Sequence, residues 1–358
     1  MKSPTKLRVV IIGLALTFYL LLQLLSQFPE FVEVYYSNGL YPILTLIMSN
    51  FASQFSFSLS EVTLWVILLF GIPFIINRIK KKHMHITRIL LNLITTFAVL
   101  YVWFYLFWGM NYYRLPLKTK LHLQQVEIPM DAFDSTFVQI IHRGNDLNLT
   151  YSVKKVAQIN AMIEESYTEV LNNLGLKKVP GFKGLKTFTI NMLLNKTTTS
   201  GWFSPFFHEV HYNSDLFIFE LPFVIAHEKA HQMGYTNEGD ANFLAHLVCI
   251  NASDPLIQYS GYFQVLDYFF KNLHGNKTKQ VYYSNQLNNG VNLDLVAVRE
   301  RWRSHGGFIS KISNKGYDLY LKANDVKEGI ENYANVVNLI VSYYEKKNLV
   351  HDMSAKSK

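Results

Sequence analysis

Three apolar runs, residues 9–25, 62–76 and 89–110, constrain this chain more than any other feature of its sequence. At a rise of about 1.5 Å per residue, runs of this order with their flanks match a hydrocarbon layer roughly 30 Å thick. Inside lipid an unpaired peptide group costs several kcal/mol, so a spanning segment must close its own hydrogen bonds as a helix. The chain is therefore expected to open with three transmembrane helices. The first run is longer than a signal-peptide core and no small-x-small cleavage site follows it, which predicts an uncleaved helix. Residues 41–48 are apolar but too few to span, and are expected in the interface or packed on neighbouring helices.

Charge is distributed as topology requires. The net charge is +8, and five of those charges come from residues 1–111, where Lys2, Lys6, Arg8, Arg78, Lys80, Lys81, Lys82 and Arg88 face only Glu30, Glu33 and Glu61. These cations flank the apolar runs, and the remainder is nearly balanced, so the basic pI does not point to nucleic acid. The positive-inside rule puts the N-terminus and residues 78–88 in the cytoplasm and the Lys/Arg-free stretch 26–60 outside. Three spans then place residues 115–358 outside the cytoplasm, after a membrane domain of residues 1–114 in the cell (inner) membrane. Arg114, Lys118 and Lys120 are a weaker signal of the opposite sense. Trp103, Tyr105, Trp108, Tyr112 and Tyr113 read as an aromatic belt at one interface. Cys249 is the single cysteine, which excludes intrachain disulfides and cysteine-based zinc sites. It is expected as a small buried hydrophobe.

Beyond residue 120 the pattern is that of a mainly helical domain. Apolar spacing predicts helices over 130–145, 153–174, 254–272, 293–303 and 325–346. Residues 185–194 are rich in β-formers and read as a strand, and 201–213 as a hairpin or edge strand. Pro222 suits the first turn of a helix that Gly234 can end, and a second helix is expected from Asn237 or Glu238 past Cys249.

The first of these two helices carries His227-Glu228-Lys229-Ala230-His231, the spacing HExxH. Two imidazoles at i and i+4 share one helix face, and their neutral nitrogens suit a tetrahedral Zn²⁺. Glu228 lies roughly 100° further round the helix, placed to act as base toward a water held by the metal. A third ligand shortly downstream would leave one position open, and Glu238 and Asp240 both qualify.

Glu238-Gly239-Asp240-Ala241-Asn242 resembles the Glu-x-x-Ala-Asn signature that follows HExxH in gluzincin-type zinc metallopeptidases. That resemblance implies Glu238 as the zinc ligand and Ala241 as the small residue that permits close helix packing. It implies a zincin-like α+β domain with a small sheet beside the HExxH helix. Asn242, one turn on, would support a ligating imidazole from behind. Asp240 is then a favourable charge in the first helical turn or an alternative ligand. More narrowly, Ser204-Pro205-Phe206, residues 222–234 and 238–243 resemble a bacterial membrane family with N-terminal helices and the same HExxH plan. The activity implied is a membrane-anchored, zinc-dependent peptidase acting on peptide or protein substrates in the envelope, with Glu228 as base. The alternative is an inactive zinc- or peptide-binding envelope protein. Lys229 keeps it open, because an apolar residue is usual there and a surface lysine is tolerable only if that face is wet.

Other polar residues carry weaker expectations. His208 and His211 flank the hairpin and are expected as exposed loop histidines, and His246 as structural. An oxyanion donor would come from Tyr317, Tyr320, Tyr333, Arg301, Arg303 or His305, which the sequence leaves unranked. The segment 202–207 is a candidate edge against which an extended peptide pairs, as in many zincins. An intramembrane protease is excluded, since residues 216–226 are too short to span and Lys229, Glu238 and Asp240 follow.

Overall fold

The computed structural model describes residues 3–80, 86–123, 128–148, 151–181, 184–323 and 333–356. The basic stretch therefore lies partly outside the described residues, at 81–85. The described chain is mostly helical. Three helices are long and apolar enough to cross a membrane: Thr5–Leu25, Leu59–Lys80 and Thr87–Phe107. Their outer surfaces are uncovered, with Leu14, Phe70 and Phe97 each about two-thirds exposed, as a membrane protein requires. Ser58 caps the second by accepting the Glu61 N–H at 3.0 Å, so this helix starts before the apolar run does. The third stops at Phe107 rather than residue 110, because Trp108 leaves helical geometry and Gly109–Tyr113 form a 3₁₀ turn.

Prolines accompany two departures from α-helical geometry. Pro42 and Pro73 each follow a π-helical segment, Val32–Leu40 and Ile67–Gly71. A proline lacks an N–H and crowds the preceding turn, and a wider i→i+5 turn before it absorbs the mismatch. The short apolar stretch at 41–48 becomes part of the Tyr41–Ser53 helix.

Three short strands, β1 (Leu185–Lys186), β2 (Gly201–Ser204) and β3 (Glu209–Tyr212), form a sheet in the order β1-β3-β2. The hairpin β2–β3 matches the sequence expectation. The strand expected over 185–194 shrinks to two residues, and Met192–Lys196 is helical instead.

The chain divides into two compact units. The first comprises Met1–Leu115, Val179–Thr189 and Phe203–Glu209. Within it, Glu209 is buried and accepts from the Leu59 and Ser60 N–H groups at 2.9 and 3.0 Å, the Ser60 hydroxyl at 2.7 Å and Lys186 Nζ at 2.7 Å. Lys186 also donates to the carbonyls of Ala52 and Phe57. A carboxylate on the free N–H groups of a helix's first turn meets the positive end of its dipole. Burial opposes the charge on Glu209, but Lys186, Ser60 and the two amides together hold its carboxyl below the usual range. In the same unit Arg114 makes a two-pronged pair with Glu33 at 2.9 Å, both largely buried.

The second unit comprises Pro116–Lys178, Ile190–Trp202 and Val210–Lys358. Its centre is the Leu221–Gln232 helix packed against Glu238–Asn251, which packs in turn on Pro255–Asn272. Val156–Asn173 covers both of the first two, and Met130–Asn148 and Tyr333–Lys356 flank the third. Cys249 is fully buried, and burial pushes its thiol up. Residues 324–332 lie outside the described residues, so the helix expected from 325 is described from Tyr333. Two helices beyond those expected also stand here, Lys277–Ser284 and Phe308–Ala323.

Removing one partner of a buried ion pair strands the other, at a cost of about 3–5 kcal/mol. Glu209→Ala is expected to lower the thermal stability of the detergent-solubilised chain by that order. Ser58→Ala, which removes the cap and a longer 3.4 Å bond to Glu209 but strands no charge, should cost less, about 1–2 kcal/mol. Equal effects in thermal unfolding would contradict the burial argument.

Candidate metal centre

The HExxH helix is fixed at both ends by its own sequence. At its start the Phe223 N–H donates to Ser260 Oγ at 3.0 Å, and Pro222 has no N–H to satisfy. Glu220, just before the helix, accepts the Phe217 N–H and pairs with Arg301, whose guanidinium stacks over Phe217 and Trp302. At its end Gly234 takes φ +83°, a conformation that suits glycine. The Gly234 N–H bonds to the His231 carbonyl and the Tyr235 N–H to the Ala230 carbonyl, each at 3.0 Å. This is the Schellman pattern.

That turn brings the Tyr235 carbonyl back onto His231 Nδ1 at 2.7 Å. A carbonyl only accepts, so Nδ1 carries a proton and Nε2 is the nitrogen turned toward the cluster. His231 Nε2 lies 3.1 Å from His227 Nε2. Asn237 caps the next helix through Gly239 and Asp240 N–H, which sets Glu238 at its first residue. The Glu238 carboxylate then lies 3.2 Å from His227 Nε2 and 3.4 Å from His231 Nε2. One ligand atom from each of these three residues falls within 4.8 Å of the others. Tyr317, on the Phe308–Ala323 helix, donates its hydroxyl to Glu238 Oε1.

The electrostatics of the cluster favour positive charge. Burial opposes charge on His231, but Glu238 outweighs it, aided by Glu228, and the imidazole is raised to about 9. Burial likewise opposes charge on Glu238, yet the two imidazoles hold it well below the usual carboxylate range. Glu228 is buried beside β2, where a Cβ on Gly201 would meet Glu228 Cγ and Oε1 at 2.7 Å. Glycine is what allows the strand to approach that carboxylate.

Asp240 stands apart from the cluster, accepting the Leu117 N–H at 3.3 Å. Asn242 Oδ1 accepts from the Tyr268 hydroxyl at 3.0 Å. His208 and His211 are buried, not exposed; His211 Nδ1 donates to the Trp202 carbonyl at 3.1 Å. His246 is structural, bonded to the Gly261 carbonyl, and burial lowers it to about 4. Of the six oxyanion candidates, Tyr317 stands at the cluster and Arg301 is held by Glu220. The side chains of Tyr320 and Tyr333 lie outside the described residues.

Lys229 does not face solvent. It lies roughly 200° round the helix from His227, is fully buried, and pairs with Glu164 at 2.5 Å. Glu164 also meets Lys178 at 3.0 Å. Burial lowers Lys229 despite Glu164. For Glu164 burial is outweighed by the two ammonium groups, which hold its carboxyl below its usual 4.5. Nothing in the sequence reveals this pair, which is 65 residues apart.

The fold and cluster define a mostly helical chain with three membrane-length helices and a two-histidine, one-glutamate site. Over residues 36–341 it matches the family described as "Protein of unknown function (DUF3810)", and the chain belongs to that family. No curated protein and no solved structure matches it.

Lys229→Ala should destabilise the protein by roughly 3 kcal/mol, and Lys229→Met combined with Glu164→Leu by less, since the charge then left, Lys178, is partly exposed to water. Glu164 has a folded-state pKa below its unfolded value. Its contribution is therefore complete above about pH 4.5 and lost as pH falls through the folded pKa. Glu164→Gln should flatten this acid limb in pH-dependent thermal unfolding.

Proposed function

We propose that this chain is a membrane-anchored, zinc-dependent hydrolase that cleaves peptide bonds in the cell envelope. One observation carries the reading: His227 Nε2, His231 Nε2 and a Glu238 oxygen converge within 4.8 Å, with His231 oriented from behind by the Tyr235 carbonyl. Two imidazoles and a carboxylate suit zinc in chemistry and number, and three protein ligands leave a position open, as catalytic zinc requires. When bound, zinc supplies a water acidic enough to ionise near neutral pH and polarises a carbonyl.

The protein's own groups then account for the rest. Glu228, buried beside β2, accepts the proton of the attacking water and returns it to the leaving amine. β2 is an edge of the three-stranded sheet, so an extended peptide pairing along it would pass beside Glu228, as the glycine at 201 permits. Tyr317, already hydrogen-bonded to Glu238, is the donor best placed to turn toward a developing oxyanion. The resemblance to gluzincin-type peptidases in residues 227–242, and the zincin-like domain it implies, support the same reaction.

The inactive alternative rested on Lys229, and the buried pair with Glu164 gives that lysine a structural role on the far side of the helix. The cytoplasmic N-terminus and extracytoplasmic hydrolase unit follow from the charge pattern. The contrary signal of Arg114 is weakened by its pairing with Glu33.

The purified full chain should bind one zinc per molecule, lost in His227→Ala and Glu238→Ala. Glu228→Gln should keep the zinc and reduce hydrolysis of a quenched-fluorescent peptide library by about 10²–10⁴-fold. Full activity in that variant would overturn the mechanism. Tyr317→Phe should keep both zinc and KM while lowering kcat by roughly 10²-fold; an unchanged kcat would remove Tyr317 from the reaction.

A further inference from the structure

The Phe308–Ala323 helix has two opposite faces with different neighbours. One face carries Tyr317 to Glu238 and buries Ser310 and Leu321. The other is apolar and uncovered: Phe308, Ile312 and Leu319 are 78%, 56% and 59% exposed. At about 100° per residue, these three fall within roughly 40° of one another, close to opposite Tyr317. Ile309, 52% exposed, borders them on one side. On the other side Lys311, Lys315 and Lys322 form a row within a similar arc. Asp318 is the one acidic residue of this helix, and its carboxylate is taken by Lys322 at 2.7 Å.

We propose that this helix docks on an anionic lipid surface. The Phe308–Ile312–Leu319 stripe would enter the acyl boundary while Lys311 and Lys315 meet headgroup phosphates. The pattern is that of a helix lying in the interface plane, apolar on one side with cations alongside that reach up to the headgroups. Charge selects this occupant. The uncovered stripe is bordered by cations and by no free carboxylate of its own helix, which fits a negatively charged surface of phosphates. The three membrane-length helices hold the chain in such a bilayer already. Docking would keep the His227–His231–Glu238 cluster, against the other face, within about one helix diameter (~10 Å) of lipid. The inference does not rest on zinc or hydrolysis, since its readout is depth in the bilayer.

The test uses the full chain, one copy per nanodisc, in equal parts phosphatidylglycerol and phosphatidylcholine. Nitroxide labels go on Ile312→Cys and Leu319→Cys, with exposed Glu300→Cys as the aqueous reference; the native Cys249 is buried and does not compete. Labels at 312 and 319 should collide with oxygen several-fold more than with a water-soluble nickel chelate, and the label at 300 should show the reverse. Lys311→Glu with Lys315→Glu, or pure phosphatidylcholine, should shift positions 312 and 319 toward the aqueous pattern. Aqueous accessibility at both positions in the anionic discs would overturn the proposal. So would shielding from both reagents, which means cover by protein, or a lipid pattern seen only with two copies per disc, which means a second chain is needed.

Discussion

The hydrogen bond between His231 Nδ1 and the Tyr235 carbonyl is the constraint on which the candidate centre depends. An isolated HExxH helix leaves each imidazole free to rotate and to choose its tautomer. Here the positive φ of Gly234 closes the helix with two carbonyl-satisfying bonds. The same turn folds the next carbonyl back onto the ring of the second histidine. Geometry that satisfies a helix end therefore also aims Nε2 at the cluster. Three residues later Asn237 caps the following helix, so the distance from His231 to Glu238 is set by one tight turn between two caps. A looser connection would cost little stability and would lose the convergence.

Burial explains why this helix does not look amphipathic. Nearly every residue of Leu221–Gln232 is buried, so its polar side chains each need a named partner. His231 has the Tyr235 carbonyl and Glu238; Lys229 has Glu164. Tyr167 adds a hydroxyl bond at 2.5 Å to the Ala226 carbonyl. The Val156–Asn173 helix thus carries two polar anchors, Glu164 and Tyr167, onto the face away from the histidines. The same element that buries Lys229 therefore fixes the rotation of the HExxH helix about its axis.

Local punctuation was legible in the sequence and long-range pairing was not. Pro222 and Gly234 bracket the HExxH helix almost where the structure ends it, because a missing N–H and a positive φ are properties of single residues. The spans were legible for a similar reason, since their apolar runs need no partner in the chain to be recognised. Residues 185–194 read as strand from composition, but β-propensity reports fit to a neighbouring strand, and only Leu185–Lys186 find one. The Phe308–Ala323 helix was invisible for the converse reason. Its apolar stripe of Phe308, Ile312 and Leu319 is turned outward, and of the described apolar side chains only Leu321 is buried, so the one-sided pattern does not report a core face. Tyr317 could not be ranked among 22 tyrosines, because its partner Glu238 is 79 residues away. Lys229 is illegible for the same reason: solvent is the default neighbour of a lysine until Glu164 is known.

The uncovered face of the Phe308–Ala323 helix and the hydrogen bond on its buried face belong to one rigid rod. A helix of this length moves as a body, so whatever holds Phe308 and Leu319 also fixes where the Tyr317 hydroxyl points. Few of its residues are buried beyond Ser310 and Leu321, and a segment with so little apolar cover is among the first to open. Its position against Glu238 is then sensitive to contacts made outside the protein. A surface that takes up the apolar stripe supplies the burial that the helix lacks within its own chain. It would thereby hold the helix in the orientation in which Tyr317 bonds to Glu238.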